Sequence, residues 1–172
     1  MSPVKLKDVL ELLKEFCRLE KRKLEVIVLG GLALHHYGMP GRATRDLDAE
    51  VAGDIESLTS FLKSRGVPCD LGEDVSRWSI VSLPSGYRKR AQKIYRDKLL
   101  VVKVLHPADF IIAKLRRFTE QDISDALFIA KKYKVSGREL AGARKDAISN
   151  SPKDTSLRTF DKNVSWFIEK LG

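Results

Sequence analysis

Apolar residues at Val9, Leu10, Leu13, Phe16 and Cys17, with lysines between them, follow the 3.6-residue period that predicts a helix over residues 4–19. The run Glu25–Gly30, EVIVLG, is apolar without interruption and reads as a buried strand, and DLDAEV at 46–51 reads as the next one. Between them Gly30-Gly31 is followed by LALHHYG, a short helical stretch. Helical spacing returns over 55–62 with Leu58, Phe61 and Leu62, and Gly66 and Pro68 end it. Two further strands are expected at WSIVSL, residues 78–83, and at LLVVKVL, residues 99–105, which is rich in β-branched side chains. Everything after Pro107 reads as helical. Pro107 fits the first turn of a helix over 107–117. Three more stripes follow: Ile123, Ala126, Leu127, Ala130 and Tyr133, then Leu140, Ala143, Ala147 and Ile148, then Phe160, Val164, Phe167 and Leu171. Ser136-Gly137 and SNSPKD at 149–154 separate them. The pattern predicts an α/β (α+β) fold with a mixed sheet flanked by helices. It divides into a core over residues 1–118 and a C-terminal helical region, 119–172, packed on that core.

The stretch from Val26 to Val51 holds the candidate chemistry. Fourteen residues separate Gly31 from Asp46-Leu47-Asp48. Side chains two apart on a strand face one side, so the two carboxylates would point together with Cα atoms roughly 6.6 Å apart. Like charges that close need a neutraliser, and a hard cation shared with phosphate oxygens is a common one. An isolated Asp-x-Asp is otherwise a solvated strand end. Here a strand and a diglycine turn precede it, where backbone can approach phosphate closely.

Gly30, Gly31, Tyr37, Gly38, Arg42, Thr44, Asp46 and Asp48 resemble the GG…YG…RxTxDxD signature of the minimal nucleotidyltransferases of the DNA polymerase β superfamily. The DUF6036 proteins and the abortive-infection toxin-type nucleotidyltransferases carry similar variants. Residues 106–127, HPADFIIAKLRRFTEQDISDAL, are similar to a second segment of that group, with Pro107, Asp109, Lys114, Arg117, Asp122 and Asp125 at matching positions. The resemblance implies a nucleotidyltransferase-like fold and transfer of a nucleoside monophosphate from an NTP to a hydroxyl. The acceptor would be RNA, with tRNA implied by the toxin-type comparison, or a protein. Asp46 and Asp48 would hold Mg²⁺ or Mn²⁺. Gly30, Gly31, Arg42, Thr44 and Arg45 would form the nucleotide-binding part, and Lys114, Asp122 and Asp125 would join the catalytic set. The toxin-type relatives also imply a cognate antitoxin protein as partner.

The residues of the second segment support a simpler reading too. Thr119 suits a helix N-cap, and Asp122 and Asp125, three apart on one helix face, favour the positive end of the dipole. Lys114 is either a solvated lysine or a half-buried one facing a cleft. The superfamily usually takes a third carboxylate from a later strand beside the Asp-x-Asp strand. The candidate strand, RWSIVSL, contains no acid. Glu50, two residues beyond Asp48, and Asp122 or Asp125 are the alternatives. Failing both, two other readings stand: a non-catalytic nucleotide- or RNA-binding protein, and a partner-binding component of a toxin-antitoxin system.

With 172 residues, 43% hydrophobic and 32% charged, the chain can bury a sizeable core. The net charge of +9 makes an anionic partner plausible, although soluble proteins without such partners are also often highly charged. The densest basic cluster is PSGYRKRAQKIYRDK, residues 84–98. There Tyr87, Arg88, Lys89, Arg90, Lys93 and Arg96 form either a nucleic-acid contact, with tyrosines for stacking, or a solvated connecting loop. Cys17 and Cys69 lack metal-ligand spacing and read as reduced structural residues. His35 and His36 read as packing or polar surface groups. No apolar run is long enough to span a bilayer, and a cytoplasmic location with no membrane partner is expected.

Overall fold

The computed structural model describes residues 2–172. They form two compact units that share the chain in alternation: residues up to Asp74 with Ala91–Leu105, and Val75–Arg90 with His106–Gly172.

The first unit is a sheet with three helices. Its elements are α1 (Leu6–Glu20), β1 (Leu24–Val28), α2 (Gly30–Tyr37), β2 (Leu47–Ala52), α3 (Ile55–Ser64), β3 (Cys69–Gly72), β4 (Gln92–Arg96) and β5 (Leu100–Val104). The strand order is β3-β2-β1-β5-β4, mixed as expected: β1 runs antiparallel to β2 and parallel to β5, and β3 runs parallel to β2. The register sorts side chains by face. Val26 lies opposite Val51 and Val102, and Val28 opposite Ala49 and Val104, an apolar face continued by Leu24, Leu47, Leu71 and Leu100. All are buried, as are Val9, Leu13, Phe16, Leu58 and Leu62 from α1 and α3. The opposite face carries Asp48, Glu50, Asp70, Glu25 and Lys103, with Lys103 ion-paired to Glu25.

The second unit is helical, with a short turn α4 (Tyr87–Arg90) and α5 (Pro107–Arg117), α6 (Glu120–Tyr133), α7 (Gly137–Asn150) and α8 (Ser156–Leu171). Pro107 sits in the first turn of α5, as its missing N–H favours. Ser136 caps α7 by accepting from Glu139 N, and Phe160, Val164 and Phe167 are the buried stripe of α8.

The strand expected at residues 78–83 is absent. Only a 3-10 turn, Val75–Arg77, precedes an irregular segment there. Side chains rather than a ladder satisfy its backbone: Arg116 Nη1 donates to Val81 O at 2.8 Å, and Ser82 N donates to Ser151 Oγ at 2.8 Å. Its apolar residues serve as anchors, with Val81 and Leu83 buried and Ile80 exposed. The strand beside β2 is instead β3, only four residues long. Part of the basic segment read as contact surface or loop is the edge strand β4.

Candidate active site at the start of helix α2

The site is built where β1 runs into α2. Leu29, in extended conformation, is the N-cap of α2 and offers no side-chain cap, and its N–H donates to Asp48 O at 2.8 Å. The first N–H groups of a helix have no intrahelical partner and make a positive, donor-rich end. Gly30 has a φ of 60°, in the left-handed region, and a Cβ placed on it would lie 2.6 Å from Asp48 Oδ2. Asp48 therefore lays its carboxylate directly over the helix start, in space that only glycine leaves open. A Cβ on Gly31 would lie 3.1 Å from Thr44 Oγ1, so the Thr44–Asp48 segment closes on the diglycine at both residues.

Asp46 is positioned by its neighbour. Thr44 is buried, and its Oγ1 lies 3.4 Å from both Asp46 O and Asp46 Oδ1. The loop that carries Thr44 is tied down twice. Val4 N donates to Thr44 O at 2.9 Å, and His35 Nε2 donates to Arg42 O at 2.9 Å while His35 Nδ1 accepts from Leu6 N at 3.3 Å. A neutral imidazole with its proton on Nε2 meets both demands. His35 is thus a clamp between α1 and the Arg42 loop, a specific form of the polar role expected of it. Arg42 Nη1 reaches Ala43 O at 3.3 Å, and Arg45 is exposed beside Asp46.

Asp70 on β3 stands in register with Asp48 across a parallel pair, on the same face and one strand spacing away, about 4.8 Å. Like charges directly opposite each other destabilise a sheet unless other groups or a cation offset them. Sequence reading missed Asp70 because CDLG is short, polar and ends in glycine. The usable signal was an acid about one helix and one turn beyond Asp-x-Asp. Glu50, the alternative on β2, shares that face but is buried to 5% exposure.

Carboxylates beside a helix N-terminus suit Mg²⁺ or Mn²⁺, which bind through one or two carboxylates plus substrate phosphates. Among the described residues no three His, Cys, Asp or Glu side chains form a ready metal cage. A site that shares its ion with substrate needs none.

The remaining expected site residues lie in the helical unit, where they form a closed cluster. Lys114 Nζ lies 3.3 Å from Asp122 Oδ1 and 2.9 Å from Asp125 Oδ2, and both aspartates have no exposed surface. Asp122 also receives Arg117 at 2.7 and 2.8 Å, and it completes a capping box with Thr119, the N-cap reading of the sequence. Gln121 Nε2 donates to Asp125 Oδ1 at 2.9 Å. Burial opposes ionisation of Asp122, but the hydrogen bonds from Arg117 and Thr119 and the charges of Lys114 and Arg117 hold its carboxyl well below the usual range.

The basic segment is split in use. Tyr87 is buried with the Arg88 guanidinium over its ring, and Arg90 is held by Asp109. Lys93 and Arg96 are exposed on the edge strand β4, and Tyr95 beside them has Lys14 Nζ 4.5 Å over its ring and donates to Asp97. No helix among the described residues is long and apolar enough to cross a membrane.

Comparison with known proteins bears on the fold and the family. No curated protein matches the chain. Among solved structures, an antigenic nucleotidyltransferase-like protein from Paracoccidioides brasiliensis is similar in fold, with a TM-score of 0.55 and 16% identity over 99% of this chain and 93% of that one. The model of the DUF6036 family, nucleotidyltransferases of unknown function, matches residues 4–170, and the chain belongs to that family.

Proposed function

We propose that the protein is a metal-dependent nucleotidyltransferase that moves a nucleoside monophosphate from an NTP to a hydroxyl, with RNA as the favoured acceptor. The observation that carries this reading is the Asp48 carboxylate lying over Gly30 at the uncapped start of α2, with Asp46 fixed beside it by Thr44. That arrangement sets carboxylates beside N–H groups able to bind phosphate, where a divalent ion shared with the substrate can join them. In the reaction the acceptor oxygen bonds to the α-phosphorus, the bond from that phosphorus to the bridging oxygen breaks, pyrophosphate leaves, and the hydroxyl proton passes to solvent water. Asp46 and Asp48 would hold the divalent ion, which when bound neutralises phosphate charge and lowers the pKa of a coordinated hydroxyl.

The chain's own groups do the rest. N–H groups at the start of α2 bind phosphate oxygens, as helix N-termini do, and Gly30 and Gly31 let the backbone come close. Arg45 offsets charge that develops on the leaving pyrophosphate. His35 and Thr44 keep the Arg42–Asp48 loop in register without touching substrate. Lys114, Asp122 and Asp125 we assign to positioning, by fixing α5 against α6. The binding-only reading rested on a missing sheet carboxylate, and Asp70 weakens it.

The test is incubation of wild type and Asp46→Ala/Asp48→Ala with each labelled NTP, Mg²⁺ and total tRNA. Label transferred by wild type alone supports the proposal and identifies the nucleotide. Intact, metal-dependent NTP binding with no transfer to RNA or protein under any condition would leave a binding protein. A cognate antitoxin is a further expectation of the toxin-type resemblance, tested by whether co-expressed neighbouring proteins suppress transfer.

A further inference from the structure

The positive charge of the chain is concentrated in the helical unit, which holds seventeen Lys and Arg against nine acids, whereas the sheet unit holds fifteen against fourteen. That unit contains an open cavity of about 570 Å³ between the starts of α5 and α7 and the end of α4, lined among others by Arg90, His106, Asp109, Arg138, Gly142 and Asp146.

Two of its carboxylates are already spent. Both oxygens of the buried Asp109 receive Arg90, at 3.0 Å each. Asp146 Oδ2 receives Ser85 N at 2.7 Å and Ser85 Oγ at 2.8 Å, and its Oδ1 receives Asn150 at 3.1 Å. Glu139 remains at the exposed rim. The donors are less committed. His106 Nδ1 accepts from Ala108 N, so the neutral ring carries its proton on Nε2, and Arg138 is exposed with no partner among the described residues. Arg90, pinned by Asp109, cannot swing away.

Gly142 adds an independent observation. It lies inside α7, where glycine weakens a helix relative to alanine. Gly137, at the start of the same helix, has a packing reason: its Cβ would lie 2.9 Å from Ile168 Cγ2. A Cβ on Gly142 would meet nothing within 4 Å. No protein atom packs against the glycine, and with Ala143 it lines the cavity without a bulky side chain.

We propose that this cavity binds one nucleotide unit, with its phosphate on Arg138 and His106 Nε2–H and its flat face against Gly142 and Ala143. The nucleotide is either free or part of an RNA chain. The site uses no residue of the Asp46–Asp48 centre and stands or falls without the transferase reading.

The experiment is titration calorimetry in EDTA, so that metal-dependent NTP binding does not contribute, with 5′-AMP, adenosine and a short 5′-phosphorylated oligoribonucleotide as probes. Wild type binds AMP and the oligonucleotide but not adenosine, and Asp46→Ala/Asp48→Ala binds as wild type does. Arg138→Gln weakens binding about tenfold, the usual scale for a charged contact to phosphate. Gly142→Gln fills that part of the cavity and weakens binding at least as much, while replacing glycine in a helix raises the melting temperature by about 1–4 °C. An oligonucleotide bound much more tightly than AMP, with a steep salt dependence, identifies an RNA chain as the source, and equal affinity identifies the free nucleotide. No binding of AMP or oligonucleotide by wild type overturns the proposal. So does binding that Arg138→Gln and Gly142→Gln both leave unchanged.

Discussion

Replacing Lys114 by methionine separates a fold-holding role from a chemical one. The ammonium lies between two carboxylates with no exposed surface, 3.3 Å from Asp122 and 2.9 Å from Asp125. Methionine fills similar space but removes the charge. Asp122 keeps its two bonds from Arg117 and the bond from Thr119, whereas Asp125 loses the ammonium that lies 2.9 Å from its Oδ2. Stranding one partner of a buried ion pair costs about 3–5 kcal/mol. A protein of this size melts roughly 2–4 °C lower per kcal/mol, so a fall of about 6–20 °C is expected. Circular dichroism at 222 nm during thermal and urea unfolding reads it. The double variant Lys114→Met/Asp125→Leu, which removes both charges, should recover most of the loss. A Lys114→Met protein that melts within a degree of wild type but transfers no nucleotide would sink the positioning assignment and make Lys114 a catalytic residue.

Three further outcomes follow from the geometry. Gly30→Ala forces a side chain into left-handed backbone, about 1–2 kcal/mol, and pushes the Asp48 carboxylate aside; a folded protein with metal-dependent NTP binding weakened at least tenfold is expected, and unchanged binding would contradict the site. Asp70→Asn relieves the repulsion with Asp48 across the β2–β3 ladder and should raise stability by about 0.2–1 kcal/mol while lowering transfer, read by urea unfolding and the labelled-NTP assay. The depressed pKa of Asp122 means that its stabilising contribution is complete above the ordinary carboxylate range and is lost as pH falls through the lower folded value. Acid unfolding of Asp122→Asn should therefore start from a lower plateau and change less below about pH 4 than wild type does.

Legibility followed how local each signal was. The Asp46–Asp48 pair and the diglycine were readable because one short stretch holds both, although β2 starts at Leu47 and leaves Asp46 in the bend before the strand rather than on it. The helices from Pro107 onward were readable from caps and stripes, including Thr119 as N-cap. Residues 78–83 misled because buried apolar anchors look the same whether their backbone joins a ladder or, as here, is satisfied by Arg116 and Ser151. Asp70 and the His35 clamp depend on partners far along the chain, Asp48 across a sheet and Leu6 across 29 residues. Tyr87 read as a stacking platform from composition alone, and only packing shows it buried.

The alternation of the chain between its two units has a consequence for how the protein is made. β1 lies between β2 and β5, and its parallel partner begins at Leu100, opposite Leu24. Until the ribosome has released residue 104, the nascent sheet has an open, apolar edge along its central strand. Such edges invite pairing with other chains. Contacts of this sequence separation also form slowly. The N-terminal portion carrying Asp46 and Asp48 is therefore not a module that can be cut out at residue 74, and a library of truncations should yield soluble protein only from fragments that retain β5.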